Sequence, residues 1–130
     1  MTVRAEDAAA RHGLRLDPVI GWSREAPGGV LQLVEGGREL HWHVVPASAR
    51  WQVIEGAMGV VSYQLPDGRI GAARLAVGTA SPNLPQATQQ SADSLGAWTL
   101  FRVIYEPEAG IGARVFAPDD WFPDPQSRRV

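Results

Sequence analysis

The sequence predicts an all-β sandwich or barrel that carries one short N-terminal helix. Three observations lead there. Short stretches rich in Val, Ile, Leu, Trp, Tyr and Phe recur at close spacing along the chain. Turn residues separate them, with 14 Gly and 10 Pro among 130 residues. Hydrophobic content of 45% and charged content of 20% belong to a folded globular chain long enough to bury one core.

The elements follow in order. Residues 5–12 (Ala5-Glu6-Asp7-Ala8-Ala9-Ala10-Arg11-His12) are Ala-rich and predict a short helix, with Gly13 as its C-cap. His12 falls in the last turn, where the helix dipole favours a cation, and reads as structural. Asp17-Pro18 breaks regular structure. Val19 to Arg24 predicts a short edge strand, and Ala26-Pro27-Gly28-Gly29 a turn. Val30-Leu31-Gln32-Leu33-Val34 is the next strand, and Glu35-Gly36-Gly37-Arg38 turns into a strand around residues 39–45. Pro46 to Ala49 interrupts the sheet, Trp51 to Ile54 resumes it, and Glu55-Gly56 turns. Gly59 to Leu65, the Pro66-Asp67-Gly68 turn and Ile70 to Val77 form a hairpin. Residues 78–94 read as a polar loop with room for one short strand. Trp98 to Tyr105 is the clearest strand, Ile111 to Phe116 another. Trp121 and Phe122 are expected to dock a polar, Pro-rich tail, residues 118–130, on the body. No internal repeat or linker divides the chain, so one domain is expected.

The most informative local feature is His41-Trp42-His43. Alternation with period two puts Glu39, His41, His43 and Val45 on one face of a strand and Leu40, Trp42 and Val44 on the other. Such a face presents two imidazoles to a barrel interior, as metal ligands or as a coupled acid/base couple whose unperturbed pKa values lie near neutrality. Two neighbouring His on a strand are also often purely structural. Trp42 then belongs to barrel packing.

Other classes of function are excluded or unsupported. Cysteine is absent, which removes disulfides, thiolate metal sites and a Cys nucleophile. Net charge of −2 gives no electrostatic case for nucleic acid. No stretch is long and apolar enough to span a bilayer, and the N-terminus lacks a signal-peptide core, so a cytoplasmic protein without membrane contact is expected. No Ser-His-Asp spacing, phosphate-cradling loop or zincin motif occurs. Tyr63 and Tyr105, on strands, either donate to a carbonyl or alkoxide oxygen or simply anchor their hydroxyls. Trp51, Trp98 and Phe101 form either core or the apolar wall of a pocket. Arg102, mid-strand, either faces solvent or points into the pocket toward a carboxylate or phosphate.

The residues Leu40-His41-Trp42-His43-Val44-Val45, Trp51, Glu55-Gly56, Leu65-Pro66-Asp67-Gly68, Pro85, Leu95 to Leu100 and Phe116-Ala117-Pro118, in that order and spacing, resemble the Cupin_5 group of small single-domain cupins. Leu16-Asp17-Pro18 and the Arg24-Glu25 pair extend the resemblance upstream, so that it covers residues 13–122 or so. It implies a double-stranded β-helix (jelly-roll) barrel over about residues 16–117, a ligand pocket in the barrel mouth, Arg24 and Glu25 either at that mouth or as an exposed ion pair, and a homodimer. Metal-binding cupins supply an HxH pair, then a Glu, then a third His. Here the Glu position falls on Ala49 and the third His position on Gln90, counted from Pro85, while Gln52 stands where the family often has His. His41 and His43 with an amide from Gln52 or Gln90 could hold Zn, Ni, Fe or Mn only weakly, unless Glu35, Glu39 or Asp93 reaches in.

These readings converge on a protein acting on a small molecule. The leading expectation is a non-oxidative enzyme of isomerase, epimerase, cyclase or lyase type in a biosynthetic pathway, with His41, His43, Tyr63 and Tyr105 as catalytic candidates. Gln52, Gln90, Trp51, Trp98, Arg24, Glu25 and Arg102 are the substrate-binding candidates. The alternatives are a metal-dependent dioxygenase or lyase using His41 and His43, and a non-catalytic ligand-binding cupin that has lost its metal site.

Overall fold

Ten strands make two five-stranded antiparallel sheets in the computed structural model, which describes residues 3–123. After helix α1 (Ala5–Arg11) come β1 (Arg15–Asp17), β2 (Gly21–Ala26), β3 (Gly29–Glu35), β4 (Leu40–Val44), β5 (Ser48–Gly56), β6 (Gly59–Gln64), β7 (Ile70–Leu75), β8 (Gln89–Ser94), β9 (Trp98–Glu106) and β10 (Val115–Phe116), with a 3₁₀ turn at Ile111–Ala113. One sheet runs β1-β2-β3-β9-β5 and the other β10-β4-β8-β6-β7. Residues 124–130 of the expected tail lie outside the described residues.

The inner faces of the two sheets enclose the main core. Val30 and Val34 of β3, Trp51 and Val53 of β5, Phe101, Val103 and Tyr105 of β9, Val61 of β6 and Ala92 of β8 are buried together there. They alternate along each strand, as one buried face requires. The outer face of β3 and β9 is also covered. Leu31, Leu33, Trp98 and Leu100 pack under α1 against Ala8, Ala9 and Leu14. The helix ends as its composition predicts. Gly13 adopts φ +69°, its N–H bonds the Ala10 carbonyl, and the Leu14 N–H bonds Ala9. That left-handed C-cap brings Leu14 back onto the helix it terminates.

Several predicted elements shift. The edge strand is β1, not Val19 to Arg24, which become the turn into β2 and part of that interior strand. The polar loop at 78–94 contributes β8, a strand paired on both sides, by β4 and β6. Its residues (Gln89-Gln90-Ser91-Ala92-Asp93-Ser94) include none of the β-branched or aromatic types that mark strands, so the neighbouring ladders hold it in place. The earlier part of that loop runs along the edge of β5 through the bridges Ala49–Leu84, Gln52–Ala80 and Val53–Val77, covering backbone that would otherwise be unpaired. Ile111 to Phe116 is not one strand. The 3₁₀ turn takes its first half, and only Val115 and Phe116 pair, with Val44 and His43.

The strand carrying the two His departs most from strict alternation. Leu40 pairs with Ala92 and His43 with Gln90, so three steps along β4 match two along β8. The bulge puts Leu40 in the core together with His43 and Val45, although alternation had assigned Leu40 to the opposite face.

Candidate functional site

β4, β8, β9 and β10 bring one group of polar side chains into the barrel interior. His43 is fully buried, with its imidazole 4.9 Å from the Phe116 ring and 6.1 Å from the Trp51 ring. Its Nδ1 lies 2.9 Å from the His41 carbonyl oxygen. A carbonyl can only accept, so Nδ1 carries the proton and Nε2 presents a lone pair. Nε2 has no hydrogen-bond partner among the described residues. Burial holds this imidazole down at about 4, and the charge of Arg114 pushes the same way. His43 is therefore neutral at pH 7, in a single tautomer.

Arg114 is the second member, and the sequence did not single it out. It follows the 3₁₀ turn and is 7% exposed. Nη1 donates to Gln32 Oε1 at 2.8 Å, and the guanidinium lies 5.5 Å from the centre of the Phe116 ring. Gln32 is itself fixed, its Nε2 donating to the carbonyls of Ile20 (2.8 Å) and Trp22 (3.2 Å). Nε and Nη2 of Arg114 are buried without partners, and none of the ion pairs among the described residues involves this guanidinium. Burial lowers its pKa, opposed by Tyr105 and Asp17. A guanidinium stays charged in proteins nonetheless.

Tyr105 is the third member. Its hydroxyl is also buried and unpartnered, and burial pushes it up to about 12, with Arg114 opposing. It is thus a neutral O–H donor at any ordinary pH. Behind these three, Trp51 Nε1 donates to Gln90 Oε1 at 2.7 Å and Gln90 Nε2 donates to the Thr88 carbonyl at 3.2 Å, so both ends of this amide are engaged.

Of the remaining predicted residues, Tyr63 stands in register with Gln90 in the same interior, and the others lie elsewhere. Tyr63 faces inward on β6, beside Gly71, where an added Cβ would come within 2.7 Å of the phenol. The His41 side chain leaves the interior at the bulge. Its Nε2 is 2.8 Å from the Pro118 carbonyl, and its ring meets Phe122 edge-on while Trp42 meets Trp121 in the same way, so the β4 bulge anchors the tail. Trp98 sits under α1, its indole donating to the Val3 carbonyl at 2.7 Å, outside the barrel. Gln52 and Arg102 face each other in register on the outer surface, where Arg102 donates to the Pro27 carbonyl at 3.2 Å. Of the two glutamines, it is therefore Gln90 that stands opposite His43. Arg24 donates to the His12 carbonyl at 2.7 Å, and Glu25 is exposed near Gly110. His12 caps α1 and approaches Glu55, which also accepts both ends of a fork from Arg11.

The donors in the barrel do not compose a metal centre. Ala49, where the resemblance places a metal-binding carboxylate, has no donor. Gln90 has spent its oxygen on Trp51, His41 is turned to the tail, and a guanidinium stands beside His43. Glu35 and Glu39 flank the β3–β4 turn, and Asp93 is bound to the Ser94 N–H. Among the described residues no three His, Cys, Asp or Glu side chains group for an ion.

Of the sequence signals, only one could have pointed to the missed residues. Gln32 interrupts an otherwise apolar strand on the same face as Val30 and Val34, and a polar residue there must find a buried partner. Arg114 and Phe116 fall in the stretch expected as a single strand, Ile111 to Phe116, in which nothing marked Arg114 as buried.

No family model matches the chain, and no curated protein sequence matches it. Solved structures do. A protein from Shewanella oneidensis superposes with a TM-score of 0.74 at 14% identity, over 89% of this chain and 85% of that one. A hypothetical protein from Leishmania major gives 0.70 at 13% identity, covering 87% and 86%. Oxalate decarboxylase from Bacillus subtilis, a protein with Mn(II) centres, gives 0.59 at 18% identity, over 73% of this chain and 23% of that one. At such identities the likeness carries the fold alone, an all-β double-stranded β-helix (jelly-roll) barrel. Among the described residues, no helix is long and apolar enough to cross a membrane.

Proposed function

We propose that this protein is an enzyme that moves a proton on a small organic molecule without oxidation, as in an isomerisation, epimerisation or lyase reaction. One observation carries the reading: the buried His43 imidazole has its tautomer fixed by the His41 carbonyl and its Nε2 lone pair unpaired. A buried lone pair without a protein partner costs stability that a folded protein ordinarily recovers through a hydrogen-bond donor. The partner proposed is a substrate C–H or O–H.

The chemistry follows from the surroundings. His43 Nε2 takes the proton, and Nδ1–H to the His41 carbonyl steadies the imidazolium that forms. Burial disfavours that imidazolium, so the proton is returned quickly, which suits a reaction that restores its catalyst in one turnover. A base this weak needs an acidified substrate. In this reading Tyr105, a buried neutral donor, stabilises negative charge developing on a substrate oxygen. The acid/base work thus falls on His43 and Tyr105, and not on a pair of imidazoles. His41 contributes its carbonyl and holds the tail.

The test is proton exchange in D₂O, followed by NMR on a mixture of small metabolites. Wild-type protein should wash deuterium into at least one component, and His43→Asn, which keeps a donor toward the His41 carbonyl, should lose this by at least about 10²-fold. Components that bind to the wild type without exchanging would instead establish a ligand-binding protein.

A further inference from the structure

We propose that the cleft between β1, β2 and the 3₁₀ turn binds a small zwitterion, an α-amino acid with an apolar side chain, whose carboxylate meets Arg15 and whose ammonium meets Glu25. The cleft measures about 480 Å³ and is lined by Arg15, Asp17, Ile20, Ser23, Glu25 and Ile111 among others. His43, Tyr105 and Arg114 do not line it, so the inference stands apart from the proton chemistry above.

Strand pairing puts the polar groups on one face. Gln32 points into the barrel toward Arg114, Ser23 pairs with Gln32, and Arg15 pairs with Ser23, so all three share the inner face of the sheet. Glu25, two residues on from Ser23, joins them. Ser23 is 4% exposed and lines the cleft, yet its hydroxyl bonds none of the described residues. A buried hydroxyl ordinarily has a partner, and the cleft is where a ligand supplies one.

Arg15 and Glu25 are diagonal neighbours, which strand geometry sets about 7 to 8 Å apart at Cβ. Their side chains are long enough to meet, but no ion pair among the described residues joins them. The Glu25 carboxylate lies instead over Gly110, where an added Cβ would come within 2.1 Å of Oε1. It is thus turned to the loop before the 3₁₀ turn, and a gap remains between the two charges.

The other charges nearby are engaged. Arg24 alternates to the opposite face and donates to the carbonyls of His12 and Glu25. Asp17 accepts from the Val19 and Ile20 N–H groups of its own turn and faces the charge of Arg114. What is left is one cation, one anion and one hydroxyl, the complement of a carboxylate beside an ammonium. A ligand with a single charge would leave the other protein charge unmatched. Ile20 and Ile111, both packed on the core, offer an apolar surface to the ligand side chain.

Titration calorimetry on the full chain tests this with L-leucine, isopentylamine (leucine without its carboxylate) and isocaproate (leucine without its amine). L-Leucine should bind at one saturable site with a Kd between about 0.1 and 1 mM, and each analogue at least about tenfold more weakly. Arg15→Gln and Glu25→Gln, at exposed positions where folding is not at risk, should each weaken leucine binding about tenfold or more, and Ser23→Ala about fivefold. Arg50→Gln, on the outer face of β5, makes the same change in net charge as Arg15→Gln and should leave binding unchanged. No saturable leucine binding, equal binding of either analogue, or equal weakening by Arg50→Gln and Arg15→Gln would each overturn the inference. None of these readings involves turnover, so a failure of the proposed enzyme leaves them untouched.

Discussion

Mild acid should destabilise this protein through His43, and the size of the effect can be worked from its burial. In the unfolded chain the imidazole titrates near 6.5, and in the folded barrel near 4. Between those values the unfolded chain binds a proton that the folded one refuses, so stability falls as pH drops through this window and levels off below it. A gap of about 2.5 pH units, at about 1.4 kcal/mol each, amounts to about 3 kcal/mol lost between pH 7 and pH 4. That is a large fraction of the 5–15 kcal/mol that typically holds a domain together. The measurement is urea denaturation of wild type and His43→Asn at half-unit steps from pH 7.5 to 4. The variant starts less stable but should lack the wild-type slope between about 6.5 and 4.5, since Asn does not titrate. Carboxylates held down by partners, such as Glu55 beside Arg11, lose their contribution at lower pH and do so in both proteins. Parallel pH profiles for the two proteins, or a His43 ring proton that titrates near 6.5 in the folded state, would refute the reasoning.

Other outcomes follow from the same coordinates. Trp51→Phe leaves the buried Gln90 oxygen without its donor and should cost about 1–3 kcal/mol in urea denaturation, beyond any loss of packing. Gly29→Ala places a Cβ 1.9 Å from the Val103 carbonyl oxygen, a backbone clash that no rotamer relieves. It should cost at least about 2 kcal/mol, whereas Gly112→Ala, whose Cβ meets nothing within 4 Å, should stay within about 0.5 kcal/mol. Elemental analysis of protein purified without nickel, then incubated with Mn, Fe, Zn or Ni and desalted, should find far less than one ion per chain, because the donors in the barrel are already engaged or missing. An ion retained at one per chain would show that another ligand set exists.

Much of the barrel was legible because its long strands state their own pattern. Along β9 burial alternates from Phe101 to Glu106, with Phe101, Val103 and Tyr105 buried between more exposed residues, while Trp98 and Leu100 on the other face are buried under α1. Pro66-Asp67-Gly68 forms its turn, with Gly68 at φ +93° and its N–H on the Leu65 carbonyl. β8 was hard to read, since its side chains express no strand preference and only pairing with β4 and β6 makes it a strand. The strand bearing the two His was read correctly as a strand, but the relation between its two imidazoles was not readable. Period two held up to the bulge between Leu40 and His43, and a bulge is fixed by how β4 meets β8.

What the sequence determined by itself is therefore the kind of object: a chain rich in strands and aromatics, with no thiol chemistry and a polar centre marked by the His41-Trp42-His43 pair, with Gln52 and Gln90 both open as its neighbour. Tertiary structure decided the chemistry of that centre. It turned His41 out to the tail, spent Gln90 on Trp51, and brought Arg114, in a stretch expected as strand, from just past the 3₁₀ turn to within electrostatic reach of His43 and Tyr105. The physical reason is that short-range pattern specifies which side of a strand a residue occupies, while the partners of a buried polar atom come from segments far away in the chain. Gln32 and Arg114, 82 positions apart and 2.8 Å from donor to acceptor, meet only because β3 and the segment before β10 close the same end of one barrel.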